Sequence, residues 1–279
     1  MIEGIHFMPV REKDKIFLGR GSPAEDLHLV SAEGSVLFDA QGRRYVDFVM
    51  GWCVGNLGWG HQDIREAIRR SKSPAYVHPS LFYEPWVELA ELLATITPGE
   101  LKKSFRATGG TEAVEIAMQI AMTATKRRKF ISIEGSYHGN SIGAMSIGAS
   151  EYRTQYANLL PGCHKIKPPL DAKAANRVEK LLKSRGIAAF IMEPIICNLA
   201  VTIPDTAFTT RVQELCREYG TLLIIDEVAT GFGRTGKMFG AEHVNLPHEG
   251  VGHRSGGGGA WVCRQNPGEV FAGRLALQC

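Results

Sequence analysis

Between residues 101 and 242, short runs of apolar and β-branched residues alternate with longer stretches in which apolar residues recur every three or four positions. A short apolar run bounded by turn residues suits a buried strand, and the three-to-four spacing gives a helix one apolar stripe. Alternation of the two predicts a mainly parallel central sheet with helices on its faces, the α/β class. Strands are expected at 129–133, 188–192 and 221–225, and helices at 112–125, 172–184 and 207–219. The C-terminal ends of such strands are where ligands bind, so chemistry is sought there.

On either side of this block the pattern changes. The stretch GSVLFDAQGRRYVDFVMGWCVGNLGWGH, from Gly34 to His61, sets Gly and Asp between short apolar runs, which predicts a small hairpin, a loop and then a helix over 62–71. Beyond residue 247 periodicity stops, a run of four glycines appears at 256–259, and no helix or sheet face is expected. A chain of 279 residues that is 44% hydrophobic can bury a substantial core, which excludes global disorder. Its 32 basic and 29 acidic residues are interspersed, and they offer no polybasic block for a nucleic acid or a membrane surface. No apolar run approaches the roughly 20 residues of a membrane span, and no leader pattern opens the chain, so a cytoplasmic protein is expected. The six cysteines lack both metal-site spacing and the density of a disulfide scaffold; they read as reduced thiols without a role.

Three motifs carry chemistry. In ATGGTEAVEIAMQIA, Gly109 and Gly110 lead into a helix beginning near Thr111 or Glu112. Free amides at a helix start favour an anion such as phosphate, but the same residues also read as a plain helix cap using Thr108 or Thr111. In EGSYHGN, Tyr137 and His138 follow the 129–133 strand, so the ring of Tyr137 could stack on a flat ligand or simply pack on the core. In LLIIDEVATGFGRTG, a hydrophobic strand delivers Asp226 and Glu227 before a glycine-rich loop. A magnesium-binding acid of a nucleotide hydrolase would need a G-x-x-x-x-G-K-[ST] loop upstream, and none precedes it. A carboxylate facing a heteroaromatic nitrogen fits better: ionised Asp226 would keep a pyridine nitrogen protonated, with Val228 two positions on to pack against the ring.

The order GGTEA, YHG, MEP at 192–194 and DEVATGFGRTG resembles the class III aminotransferases, the ornithine, acetylornithine and 4-aminobutyrate type. GSVLFDAQGRRYVD and GNLGWGH resemble the entrance segment of that family, and the resemblance runs over roughly residues 15–246. It implies a fold-type-I enzyme dependent on pyridoxal 5'-phosphate, homodimeric when intact, that moves an amino group from an amino donor to a 2-oxo acid. It further implies an N-terminal part of a small domain and entrance loop at 1–60, a cofactor-binding large domain at 61–246 that is incomplete, and a tail foreign to the family at 247–279. Carried onto this chain, the phosphate cup falls on Gly109, Gly110 and Thr111, the stacking ring on Tyr137, the pyridine partner on Asp226 and the opposite ring face on Val228. His138 and Glu193 take supporting positions. Gly109 stands where the family often has Ser or Thr, which removes one hydroxyl donor.

The resemblance also implies a lysine ~30 residues after the aspartate, holding the cofactor aldehyde as a Schiff base and moving protons. No lysine follows Lys237; the slot falls within 252–258, where Arg254 stands, and a guanidinium stays protonated and cannot replace the amine. The expectation is therefore no catalytic lysine and no turnover by this chain alone, with a frame shift or truncation near Leu246 as the cause. Apolar faces left uncovered predict poor solubility. The alternative is a non-catalytic remnant that binds the cofactor or a partner subunit.

Overall fold

In a computed structural model, residues 8–19, 24–74, 77–98, 101, 103–244 and 246 are described in full, and 259–263 by their backbone. The N-terminal elements are α1 (Val10–Phe17), β1 (Leu29–Glu33), β2 (Val36–Asp39), β3 (Arg44–Val46), the single turn α2 (Met50–Cys53), α3 (Gln62–Arg70) and α4 (Glu84–Ile96). There follow α5 (Gly110–Thr125), β4 (Lys129–Ile133), α6 (Ile142–Ile147), α7 (Tyr152–Gln155), β5 (Cys163–Ile166), α8 (Ala172–Leu182) and β6 (Ile187–Met192). The last are α9 (Thr206–Tyr219), β7 (Leu222–Glu227), a 3-10 turn at Gly240–His243 and β8 (Gly259–Cys263).

The central sheet has the order β5-β4-β6-β7-β8, and its first four strands are parallel. Side chains alternate across a strand, so each strand feeds two cores. Ile131, Ile133, Phe190, Met192, Leu223 and Ile225 pack with Val178, Leu182, Phe208, Val212 and Leu215 of α8 and α9. On the other face Phe130, Ala189, Ile191, Leu222 and Ile224 pack with Val114, Ala117, Met118 and Ala121 of α5 and with Ala144 and Ile147 of α6. Strands β6 and β7 are buried along their whole length, as a strand covered on both faces must be. Local chemistry sets the helix ends: the Asp171 side chain accepts from the Ala174 amide at the start of α8, and Gly220, at φ 59°, ends α9 in the left-handed region. At the N-terminal ends of the strands Nη1 of Arg127 donates to the Tyr219 and Gly220 carbonyls, at 2.9 and 3.0 Å.

Differences from the sequence expectations are local. Helix α5 starts at Gly110, because extended Gly109 is its N-cap, and β7 runs on to Glu227, so both carboxylates belong to the strand itself. The N-terminal hairpin is a three-stranded antiparallel sheet, since β1 pairs with β2 as well. The tail, expected to form no sheet, supplies β8, which runs antiparallel to β7 from Leu223 opposite Cys263 to Glu227 opposite Gly259. The lysine slot at 252–258 lies outside the described residues. Among the described residues no helix is long and apolar enough to cross a membrane.

Candidate cofactor site

Alternation along β7 separates its two terminal acids. Asp226 falls on the α5 face, and Glu227 on the α8–α9 face, where its fully buried carboxylate accepts from Thr230 Oγ1 at 2.5 Å and from the Gly240 and Ala241 amides at 3.0 and 2.8 Å. Glu227 thus anchors the 3-10 turn, and Asp226 is left for the cavity. One carboxylate oxygen of Asp226 accepts from the Val228 amide at 3.0 Å, and the other lies 2.8 Å from Nδ1 of His138. An ionised carboxylate has no proton to give, so the Nδ1–H of the imidazole is the donor. Nε2 of His138 is buried without a partner.

The loop after β4 is held over the ends of three strands. Ser136 turns back to the Ile133 carbonyl at 2.8 Å, the Tyr137 amide donates to Glu193 at 3.2 Å, and His138 reaches Asp226. Glu193, just past β6, also accepts from the Cys197 amide at 3.0 Å; burial raises its pKa, against the lowering by His138. Gly139, at φ +124°, has no room for a Cβ, which would meet Thr111 Oγ1. Gly110 is equally constrained, since a Cβ there would stand 2.9 Å from Cγ2 of Val228. At the start of α5 no side chain caps the helix; Glu112 instead reaches back to the Thr108 amide and hydroxyl. The helix start therefore presents uncapped amides to the cavity. The resulting cavity of about 230 Å³ is lined by Gly110, Thr111, Tyr137, His138, Glu193, Asp226 and Val228 among others. Of the residues singled out from sequence only Gly109 is absent from this wall, standing at the helix cap one residue away.

Residues 19–249 match the family described as aminotransferase class-III. The chain belongs to that family. Among the relatives of this class III chain, an acetylornithine aminotransferase of Methanopyrus kandleri is 38% identical over 250 residues, covering 87% of the chain and 63% of the relative. A taurine:2-oxoglutarate aminotransferase of Bifidobacterium kashiwanohense, solved with PLP and glutamate, superposes with a TM-score of 0.77 at 26% identity, over 85% of this chain and 59% of that one. For an adenosylmethionine-8-amino-7-oxononanoate aminotransferase of Methanocaldococcus jannaschii the TM-score is 0.76 at 32% identity, over 83% and 57%. The class III chain thus spans about three fifths of the length of these relatives.

Sequence reasoning missed part of the wall. Gly51, Trp52 and Val54 come from the N-terminal segment, and the Trp52 ring lies 6.1 Å from that of Tyr137, tilted by 31°. Cys197 and Asn198 complete the side beside Glu193, with burial and the neighbouring Glu193 pushing the Cys197 thiol up to about 12, which keeps it protonated. Their only signal was position: Cys197 and Asn198 closely follow the MEP motif, and Trp52 lies between the two stretches that resemble the family's entrance.

Proposed function

We propose that this chain is the cofactor-holding part of an aminotransferase that moves an amino group from an amino donor to a 2-oxo acid, using pyridoxal 5'-phosphate. The observation that carries the reading is that an uncapped helix start and a buried carboxylate, 116 positions apart in sequence, open onto one small cavity between an aromatic ring and a branched apolar side chain. The chemistry of this donor set fits the cofactor. The amides at Gly110 and Thr111, with the Thr111 hydroxyl, would take the phosphate, aided by the helix dipole, while the bare Gly110 leaves Val228 its place on the cavity wall. Tyr137 and Val228 would hold the two faces of the ring, and Asp226 would hold a proton on the pyridine nitrogen by charge pairing. His138 fixes the Asp226 carboxylate through Nδ1, and Glu193 fixes the Tyr137 loop through its amide. When bound, the cofactor supplies an electron sink for a carbanion formed next to the nitrogen of the substrate.

No lysine follows Lys237, so the proposal for this chain alone is reversible binding without turnover. The division into an entrance segment at 1–60, a cofactor-binding unit at 61–246 and a foreign tail at 247–279 is part of the same reading, as are a cytoplasmic location and self-association. Fully exposed Phe48 in the entrance segment and Phe82 beyond it support an interface role for the region before residue 98. Titration with pyridoxal phosphate, followed by its absorbance, tests the site. Saturable binding is expected, weakened about tenfold or more in Asp226→Asn, the loss expected when a charge-assisted bond disappears. Borohydride followed by removal of free cofactor should return the chain at its unmodified mass. Absence of saturable binding, or an Asp226→Asn chain that binds as well as the wild type, would sink the reading.

A further inference from the structure

The segment from Asp47 to Trp59 crosses from the small antiparallel sheet to the mouth of the cavity, and four of its consecutive residues, Met50, Gly51, Trp52 and Cys53, have φ between 47° and 68°. Three of them carry side chains, for which a left-handed backbone costs ~1–2 kcal/mol each. A turn of this kind persists only where its surroundings hold it. Two side chains do so. On one flank the Asp47 carboxylate accepts from the Val49 and Met50 amides at 3.0 and 2.8 Å and from the Trp59 indole at 2.8 Å. On the other flank Asn56 leaves its own segment. Its Nδ2 donates to the Gly231 and Phe232 carbonyls at 3.1 and 3.0 Å, and its Oδ1 accepts from Arg234. These contacts join residues 175 to 178 positions apart. Phe232 is itself at φ 56°, so the clamp fastens two strained turns to each other.

We infer that Asn56 is a positioning residue for the cofactor: by tying the 50–53 turn to the 231–234 turn, it keeps Trp52 against Tyr137 at the mouth of the cavity. The inference rests on the cofactor reading of that cavity. Trp52 is two-thirds exposed, so little packing of its own holds it, and its place depends on the backbone that carries it. The amide group of Asn56 matches the task because it offers two N–H donors to the two carbonyls and one acceptor to Arg234 at the same time. Asparate at this position would keep the acceptor for Arg234 and lose both donors.

The test compares the wild-type chain with Asn56→Asp, Trp52→Ala and the double variant. Each is titrated with pyridoxal phosphate and, separately, with inorganic phosphate, which can use the helix start alone. Asn56→Asp is expected to bind pyridoxal phosphate roughly tenfold more weakly and inorganic phosphate as well as the wild type, with the double variant no worse than Trp52→Ala, since residues acting through one contact are not additive. Arg234→Ala, which leaves both donors of Asn56 in place, should retain most of the affinity, and it provides a second variant if Asn56→Asp does not fold. Additive losses, equal losses for both ligands, an undiminished Asn56→Asp, or an Arg234→Ala chain as weak as Trp52→Ala would overturn the inference while leaving the cofactor reading intact. A wild-type chain that binds no pyridoxal phosphate overturns both.

Discussion

The region before residue 98 and the region after residue 101 are held together by different forces. In the first, Met50, Leu93 and Asp39 are the buried residues among those described, and helices α1 and α3 bury none. In the second, two continuous cores enclose the sheet, and β6 and β7 have no exposed position. Apolar burial at ~25 cal/mol per Å² can carry the second region, whereas the first relies on a few polar staples and leaves large apolar side chains in solvent. A region of that kind gains its order from what it touches. Its contacts with the sheet region include Trp52 against Tyr137 at the cavity, Asn56 on the 231–234 turn, and Trp86 under the guanidinium of Arg106.

The strongest way to break this contrast is to remove one large side chain from each region. Phe190 is fully buried and meets Phe208 edge-on at 6.4 Å, so Phe190→Ala should cost ~3–5 kcal/mol and abolish or greatly lower the cooperative melting transition. Phe82 is fully exposed, and Phe82→Ser should leave the transition in place while raising the concentration at which the chain stays soluble. Calorimetry and sedimentation of the two variants read the outcome. A Phe82→Ser chain that melts as low as Phe190→Ala would show the first region to be part of the core after all.

A smaller effect sharpens the account of the staples. Asp39 accepts from the Gln41 and Arg43 amides at 3.0 and 2.8 Å, from the Arg43 guanidinium at 2.6 Å and from the Tyr45 hydroxyl at 3.0 Å, closing the β2–β3 turn. Burial pulls its pKa up, but Arg43, the Tyr45 hydroxyl and the backbone amides together outweigh burial and hold it at about 2, below its ordinary 3.8. A depressed carboxyl stabilises the fold above its unfolded pKa and loses that contribution as pH falls through the folded one. Wild-type and Asp39→Asn chains should therefore differ in thermal stability at pH 5 and converge as pH drops from about 4 to about 2. A difference that stays constant over that window would mean that the charge of Asp39 does not close the turn.

How much of this was legible follows from range. Helices α5, α8 and α9 and strands β4, β6 and β7 come from periodicities within about a dozen residues, and they appeared in the sequence with ends off by no more than two positions, whereas the short β5, α6 and α7 were not expected. The separation of Asp226 from Glu227 was also encoded locally, because it follows from period-two alternation once β7 is known to reach Glu227. Trp52, Asn56 and Asn198 were not legible. Asn56 meets its partners across 175 residues, and no local pattern marks three side-chain-bearing residues of the 50–53 turn for a left-handed backbone. Strand β1 was missed because four of its five residues are exposed, which erases the alternation that would mark one face.

The smallest expected effect concerns two adjacent glycines at the helix start, and it asks whether the sheet region alone sets the grip on an anion. Gly109 has an extended backbone at φ −176°, which any residue adopts, and open space where a Cβ would go. Gly110 has Val228 at 2.9 Å from that point. Gly109→Ser should therefore fold normally and, by adding a hydroxyl beside the uncapped amides, bind inorganic phosphate up to a few-fold more tightly, within the ~0.5–1.5 kcal/mol of one net hydrogen bond. Gly110→Ala must push Val228 away, so it should leave phosphate binding close to the wild type and weaken pyridoxal phosphate, because Val228 is the wall proposed for the ring face. Isothermal titration with both ligands separates the cases. If Gly109→Ser weakened phosphate, the serine hydroxyl would be capping α5 in place of the anion, and the helix start would be a structural end with no ligand to hold.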